Sequence, residues 1–213
     1  MVRKVFLIIF LAVALACLLF LKPFFFQKKI EARLIDRLPS ADFIGRVNIL
    51  ELALETSGMM YYHKLPFRDL TSKEFLLSQG KAYGLNLQKP IYVFGNESGD
   101  GGCLIYVRDS VKIAAGIERL RKSVNIKDTI IEKQKVFFSK KDNIFLHYGS
   151  NYLLVYRGTL FSKTLNYVLK AKYKKILPLW TRFFKDGNFK NESLVIYSNW
   201  PKLKDAGIRT AIF

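Results

Sequence analysis

The chain has 213 residues and carries 35 Lys and Arg against 17 Asp and Glu, a net charge of +18. That length suits one domain with an appendage, and the charge should attract anionic surfaces such as lipid headgroups, acidic glycans or nucleic acid. Lys outnumbers Arg by 24 to 11, so coding bias towards AT-rich codons explains the same excess without any ligand.

The appendage comes first. Val5 to Leu21, "VFLIIFLAVALACLLFL", runs without a polar side chain, and "FFF" extends it past Lys22 and Pro23 to Phe26. Val5, Phe6, Leu7, Ile8, Ile9, Phe10, Leu11, Leu15, Leu18, Leu19, Phe20 and Leu21 supply its bulk. A membrane-spanning helix needs about 20 mostly apolar residues, and Lys22 can snorkel to an interface. Residues 1–26 therefore read as a transmembrane anchor held in membrane lipid through residues 5–26. Two cleaved forms compete with it. "MVRK" before the apolar run suits a signal peptide, and Ala14-Leu15-Ala16-Cys17 resembles a lipoprotein box. The apolar run continues past Cys17, where a mature lipoprotein turns polar.

Orientation draws on two opposing signals. Lys22, Lys28, Lys29, Arg33 and Arg37 lie beyond the run and favour a cytoplasmic domain. The short "MVRK" tail is the form of a signal anchor, which exports the chain beyond it; the expectation is export, to the periplasmic side of an inner membrane.

Residues 27–39 read as a juxtamembrane helix and linker, with Ile30, Leu34 and Leu38 on one stripe and Pro39 as its end. The domain is then expected at 40–213. Four junctions share a strand, a capping residue and a helix start: Asn48 after "DFIGRVN", Asp109 after "CLIYVRD", Thr159 after "YLLVYRGT", and Asn199 after "LVIYSN". "TSKEFLLSQGKAYG" adds a helix with a capping box from Thr71 to Glu74. "LIYVRDSVK" and "LLVYRGTLF" align at an offset of 49, with Leu104 over Leu153 and Arg108 over Arg157.

Hairpins are expected between "PIYVF" and "CLIYV" and between "NIFLHY" and "YLLVY", with "KVFF" and "DTIIEKQ" as further strands. The fold class is therefore α+β: a transmembrane helix, then a mainly antiparallel sheet with helices on one face, built from hairpin–helix units. The fourth junction stops short, as an incomplete second repeat. Its strand should join the existing sheet, and "IRTAIF" should be either loosely ordered or an apolar edge.

The search for chemistry finds no catalytic, cofactor or metal motif, so neither an enzyme nor a cofactor is expected. His63 and His147 lie 84 residues apart; His147, in a strand beside a turn, reads as structural. Cys103 reads as a small buried residue. Glu97 and Asp100 in "GNESGDGG" have too few oxygens for a calcium site and suit a hairpin turn. Asn96-Glu97-Ser98 and Asn191-Glu192-Ser193 match the glycosylation sequon. The densest basic run is "KAKYKK". Lysines there complement a helix C-terminus, or else Lys170, Lys172, Lys174, Lys175 and Arg182 meet anionic headgroups, with Trp180, Phe183 and Phe184 at the interface.

"LPSADFIGRVNILELA" after an N-terminal anchor, with "GLNLQKPIYVF", resembles the start of membrane-anchored Gram-negative envelope proteins of uncharacterised function. Those carry duplicated α+β halves. The resemblance covers roughly residues 38–110, with 191–207 as the start of a second half, and it brings no active-site residue with it. The expectation is a non-enzymatic, single-pass envelope protein that contacts another envelope protein or its own copies. The alternative is a basic module for an anionic ligand: a lipid headgroup, an acidic glycan or, less expected, nucleic acid.

Overall fold

The computed structural model describes residues 33–62, 72–123, 125–173, 180, 183–184, 189, 192–199 and 210–212; the side chains of residues 57–62, 123, 172–173 and 210–212 are not described. Residues 32–213 form a single compact unit. The apolar run lies outside the described residues. Among the described residues, no helix is long and apolar enough to cross a membrane.

The fold is α+β. Among the described residues, nine strands form one antiparallel sheet: β1 (Phe43–Val47), β2 (Ile91–Gly95), β3 (Gly101–Tyr106), β4 (Ile126–Ile131), β5 (Gln134–Ser139), β6 (Ile144–Tyr148), β7 (Tyr152–Arg157), β8 (Leu194–Ser198) and β9 (Thr210–Ile212). Their spatial order is β4-β5-β6-β7-β3-β2-β1-β8-β9. Short turns fix the meanders β2–β3 and β4–β5–β6–β7, and Gly, Asn or Asp stand in all of these turns except the Glu132–Lys133 turn between β4 and β5. β8 pairs along all of β1, from Phe43 with Ser198 to Val47 with Leu194. β9 pairs with β8 at the sheet edge.

Helices cover both faces of this sheet, not one. The described helices are α1 (Ile49–Tyr62), α2 (Lys73–Ala82), α3 (Ser110–Ser123) and α4 (Phe161–Leu169). On the front face, Ile44, Phe94, Leu104, Leu154 and Tyr156 pack beneath Phe161, Leu165 and Val168 of α4. On the back face, Phe137, Leu146 and Leu153 pack against Ile113 and Ile117 of α3. The cause is in the strands themselves. "YLLVY" has no polar partner alternating with its apolar residues, so both of its faces must leave water.

That arrangement also separates the two similar stretches. Leu104 belongs to the front cluster and Leu153, its partner at offset 49, to the back cluster. In the sheet Leu104 stands opposite Leu154. A likeness of local sequence here does not carry equivalent packing.

The domain begins earlier than Ser40. A 3-10 turn at Leu34–Arg37 seats Leu34, Ile35 and Leu38 in the front core at 0%, 6% and 1% exposure. Arg37 is buried with them; its Nη1 donates to the Val168 carbonyl at 2.9 Å, and its guanidinium lies 4.6 Å from the Tyr152 ring centroid. The Ile30–Leu34–Leu38 stripe predicts a separate helix. Instead the described part is a turn flanked by extended residues, and Leu34 and Leu38 are core.

Three capping expectations change in detail. Asp109 caps α3 as expected: its Oδ1 accepts from the amides of Val111 and Lys112. The cap of α2 is Ser72, whose hydroxyl accepts from Phe75 N at 3.1 Å. Thr159 does not cap α4. Leu160 holds that position without a side-chain bond, because Thr159 is engaged by Asp100. Asn48 precedes α1, but its side-chain amide donates to the Glu192 carbonyl. The helix expected after Asn199 lies outside the described residues.

The β4–β5 turn holds Glu132 at φ 52° and Lys133 at φ 60°. Both are left-handed, the backbone of a two-residue hairpin turn that glycine adopts without penalty. Glu132 compensates by accepting from the Ser162 hydroxyl at 3.1 Å in the first turn of α4. Lys133 has no such role, so Lys133→Gly should stabilise the domain by about 0.5–1 kcal/mol, read as a raised denaturant midpoint.

Candidate interaction surfaces

Three loops meet at one end of the sheet: residues 96–100 after β2, 140–143 after β5 and 157–158 at the end of β7. They enclose an open cleft of about 740 Å³ lined by Ser98, Gly99, Asp100, Lys141, Asp142, Asn143, Ile144, Arg157 and Gly158. Its carboxylates serve the scaffold. Asp100 accepts from both the amide and the hydroxyl of Thr159 at 3.0 Å, tying the β2–β3 loop to the start of α4. Asp142 accepts from the Ser139 hydroxyl at 2.9 Å. Asp42, just before β1, accepts from the Glu97 amide at 2.7 Å. Among the described residues, no acid pairs with Lys141 or Arg157, and no group of three or more His, Cys, Asp or Glu could hold a metal. The "GNESGDGG" stretch thus acts as a hairpin turn with one structural carboxylate.

Gly158 explains how these loops approach so closely. Its φ is +130°, and a Cβ there would overlap the Asp100 carboxylate.

His147 is 4% exposed. Its Nδ1 lies 3.0 Å from the Lys135 carbonyl, and its Nε2 lies 3.1 Å from the Tyr152 hydroxyl. Burial pushes its pKa below the usual imidazole value, and the hydrogen bond to Lys135 opposes that only in part. The ring is thus buried and hydrogen-bonded through both nitrogens. His63 lies outside the described residues. Cys103 is partly rather than fully buried; desolvation pushes its thiol up to about 11, so at neutral pH it is a protonated thiol and a poor nucleophile.

The basic run is only partly described. Lys170 stands at the head of a 3-10 turn, Lys170–Tyr173, that continues α4, and it is exposed. Lys172 lies in the same turn, with its side chain undescribed, and Lys174, Lys175 and Arg182 lie outside the described residues. The aromatics beyond the run are core. Trp180 and Phe184 are both buried in the front cluster, where Phe184 meets Tyr92 edge-on. Phe183 packs on Phe184, Phe189 and Tyr197. No signal in the residues themselves separates these from interfacial aromatics, because both are apolar side chains next to lysines.

The outer strand β4 is a defended edge. Its residues Lys127 and Asp128 are exposed, and Asp128 is bridged by Arg121 at 3.4 Å and Lys135 at 3.5 Å. Charges of this kind disfavour strand addition. Ile130 on the same strand is 78% exposed, and Val111 on α3 is 77% exposed.

No protein-family model matches the chain, and no curated protein matches it. Among solved structures, crystal form IV of TP0453 is similar at 13% identity and a TM-score of 0.46, over 77% of this chain and 63% of that one. Crystal form I of TP0453 is similar at 9% identity and the same TM-score, over 81% and 64%. The chain spans less than two thirds of those structures' length, and the likeness assigns no residue a role.

Proposed function

We propose that the protein is a non-enzymatic, membrane-anchored module that works through contacts with other envelope proteins, its domain on the exported side. The observation that carries this reading is the short span of sequence between anchor and fold. Leu34, eight residues past Phe26, is fully buried, so no long linker separates the apolar run from the domain it would hold. Among the described residues, polar groups suited to chemistry are bonded to the scaffold: His147 to Lys135 and Tyr152, Asp100 to Thr159, and Asp42 to Glu97.

A photocrosslinking residue placed at Val111 or Ile130 in the full chain tests this in intact cells. A reproducible envelope-protein adduct is the expected result. Adducts to lipid alone, or none from either position, would sink the reading. One observation favours a second reading: Lys141 and Arg157 line the cleft with no acid partner among the described residues. If that cleft takes an anion, replacing both by Gln should abolish salt-sensitive retention on anionic vesicles.

A further inference from the structure

The segment that opens the fold is held by a buried chain of groups that includes one imidazole. Arg37 lies over one side of Tyr152, 4.6 Å from the ring centroid. His147 lies beside the same ring, 5.8 Å between centroids, and bonds to its hydroxyl. Arg37, His147 and Tyr152 are all nearly sealed from water, at 5%, 4% and 4% exposure.

Hydrogen-bond logic sets the protonation state. The Lys135 carbonyl can only accept, so Nδ1 of His147 must carry the proton. Nε2 is then the acceptor for the Tyr152 hydroxyl in the neutral ring. A second proton, on Nε2, would remove that acceptor and force the Tyr152 hydroxyl to turn. It would also place an imidazolium and a guanidinium against the same phenol ring, out of water.

The charged groups around the site do not offset this. Asp36, next to Arg37, pairs with Arg33 at 3.3 Å. Lys135 presents its carbonyl to His147, while its ammonium pairs with Asp128. The α4 residues in this core are Phe161, Thr164, Leu165 and Val168, none of them charged. The neighbouring Tyr106 hydroxyl accepts from the Leu34 amide at 3.4 Å.

We propose that His147 makes the seating of residues 33–38 acid-sensitive. When His147 takes a second proton, the contacts of Arg37 with the Tyr152 ring and the Val168 carbonyl weaken, and the 3-10 turn opens transiently more often while the strands stay paired. The turn is the element that yields, because it has no side-chain cap and is not part of the sheet's ladders. The sheet is held by ladders on both sides of β7. The inference goes beyond the proposed function and does not depend on it, since it concerns only how the fold holds its own first residues.

The sign comes from linkage. A buried neutral His has a folded pKa below its unfolded value of about 6.5. The unfolded or detached form therefore binds the proton more tightly. Stability is complete above that value and falls as pH drops through it towards the folded pKa.

The test is hydrogen exchange of the full chain in detergent micelles at pH 7.5 and 5.0, corrected for intrinsic exchange rates. Protection of the amides in 33–38 should be lower at pH 5.0 than at pH 7.5, while β3 and β7 keep theirs. His147→Asn should abolish the difference. Arg37→Met provides a second route if that variant does not fold. With His63→Gln in place, the remaining imidazole resonance reports His147 alone, and removing the Arg37 charge should raise its titration midpoint. Equal protection of 33–38 at both pH values, or a His147 midpoint near 6.5 that Arg37→Met leaves unmoved, would overturn the proposal.

Discussion

Replacing residues 33–39 by a Gly-Ser segment of equal length should remove most of the domain's stability while leaving the strands able to pair, although the sequence reads this stretch as linker. Leu34, Ile35 and Leu38 all sit in the front core. Truncating one buried Leu or Ile costs about 2–5 kcal/mol, so losing three approaches the about 5–15 kcal/mol that a typical domain has in total. Arg37 goes as well, leaving the Val168 carbonyl without its donor. Denaturant unfolding of the full chain, monitored by far-ultraviolet circular dichroism, measures the effect. A midpoint equal to that of the unaltered chain would show that the segment merely leans on the domain.

Gly158→Ala should destabilise the domain by about 3–4 kcal/mol. A residue at φ +130° lies in backbone territory essentially reserved for glycine, at about 1–3 kcal/mol for any other residue. The added Cβ also displaces Asp100, which costs some of its two bonds to Thr159, at about 1 kcal/mol each. Gly99→Ala is the matched control. Its φ is +83°, but a Cβ there meets nothing within 4 Å, so only the backbone penalty of about 1 kcal/mol remains. Equal losses from the two variants would mean that the Asp100 contact contributes little.

Both predictions fall where sequence and structure part. The hairpins β2–β3 and β6–β7 are legible because their turns carry Gly, Asn, Ser and Asp between apolar runs, and both form; the β4–β5 hairpin turns at Glu132–Lys133, which gives no such signal. That β8 joins the sheet is legible too, since Leu194 and Ile196 are too apolar to stand alone. Helix placement is not. Leu153, Leu154 and Val155 are apolar in succession, which says that both faces are buried but not which helix covers which. The 33–38 segment reads as linker because a stripe at helical spacing looks the same whether it faces a neighbouring helix or a core.

The candidate surfaces are less readable still. Asp100 and Thr159 stand 59 residues apart and meet only because β3 and β7 are neighbours in the sheet. The His147–Tyr152–Arg37 contact joins β6, β7 and a turn more than a hundred residues upstream. The structural place of His147 is visible in its strand, but its partners are not. Trp180 and Phe184 reach the core despite a flanking basic run that suits an interface equally well.

We propose that residues 5–26 hold this domain at a membrane. The most direct test is alkaline carbonate extraction of membranes carrying the full chain, with a second chain in which Leu11, Leu15 and Leu18 are each replaced by Lys. Charges at the centre of a spanning helix cost about 2.5–3.5 kcal/mol apiece on insertion scales, so three should prevent anchoring. The unaltered chain should stay in the membrane pellet and the triple-Lys chain should leave it. Release of the unaltered chain into the supernatant would contradict the account.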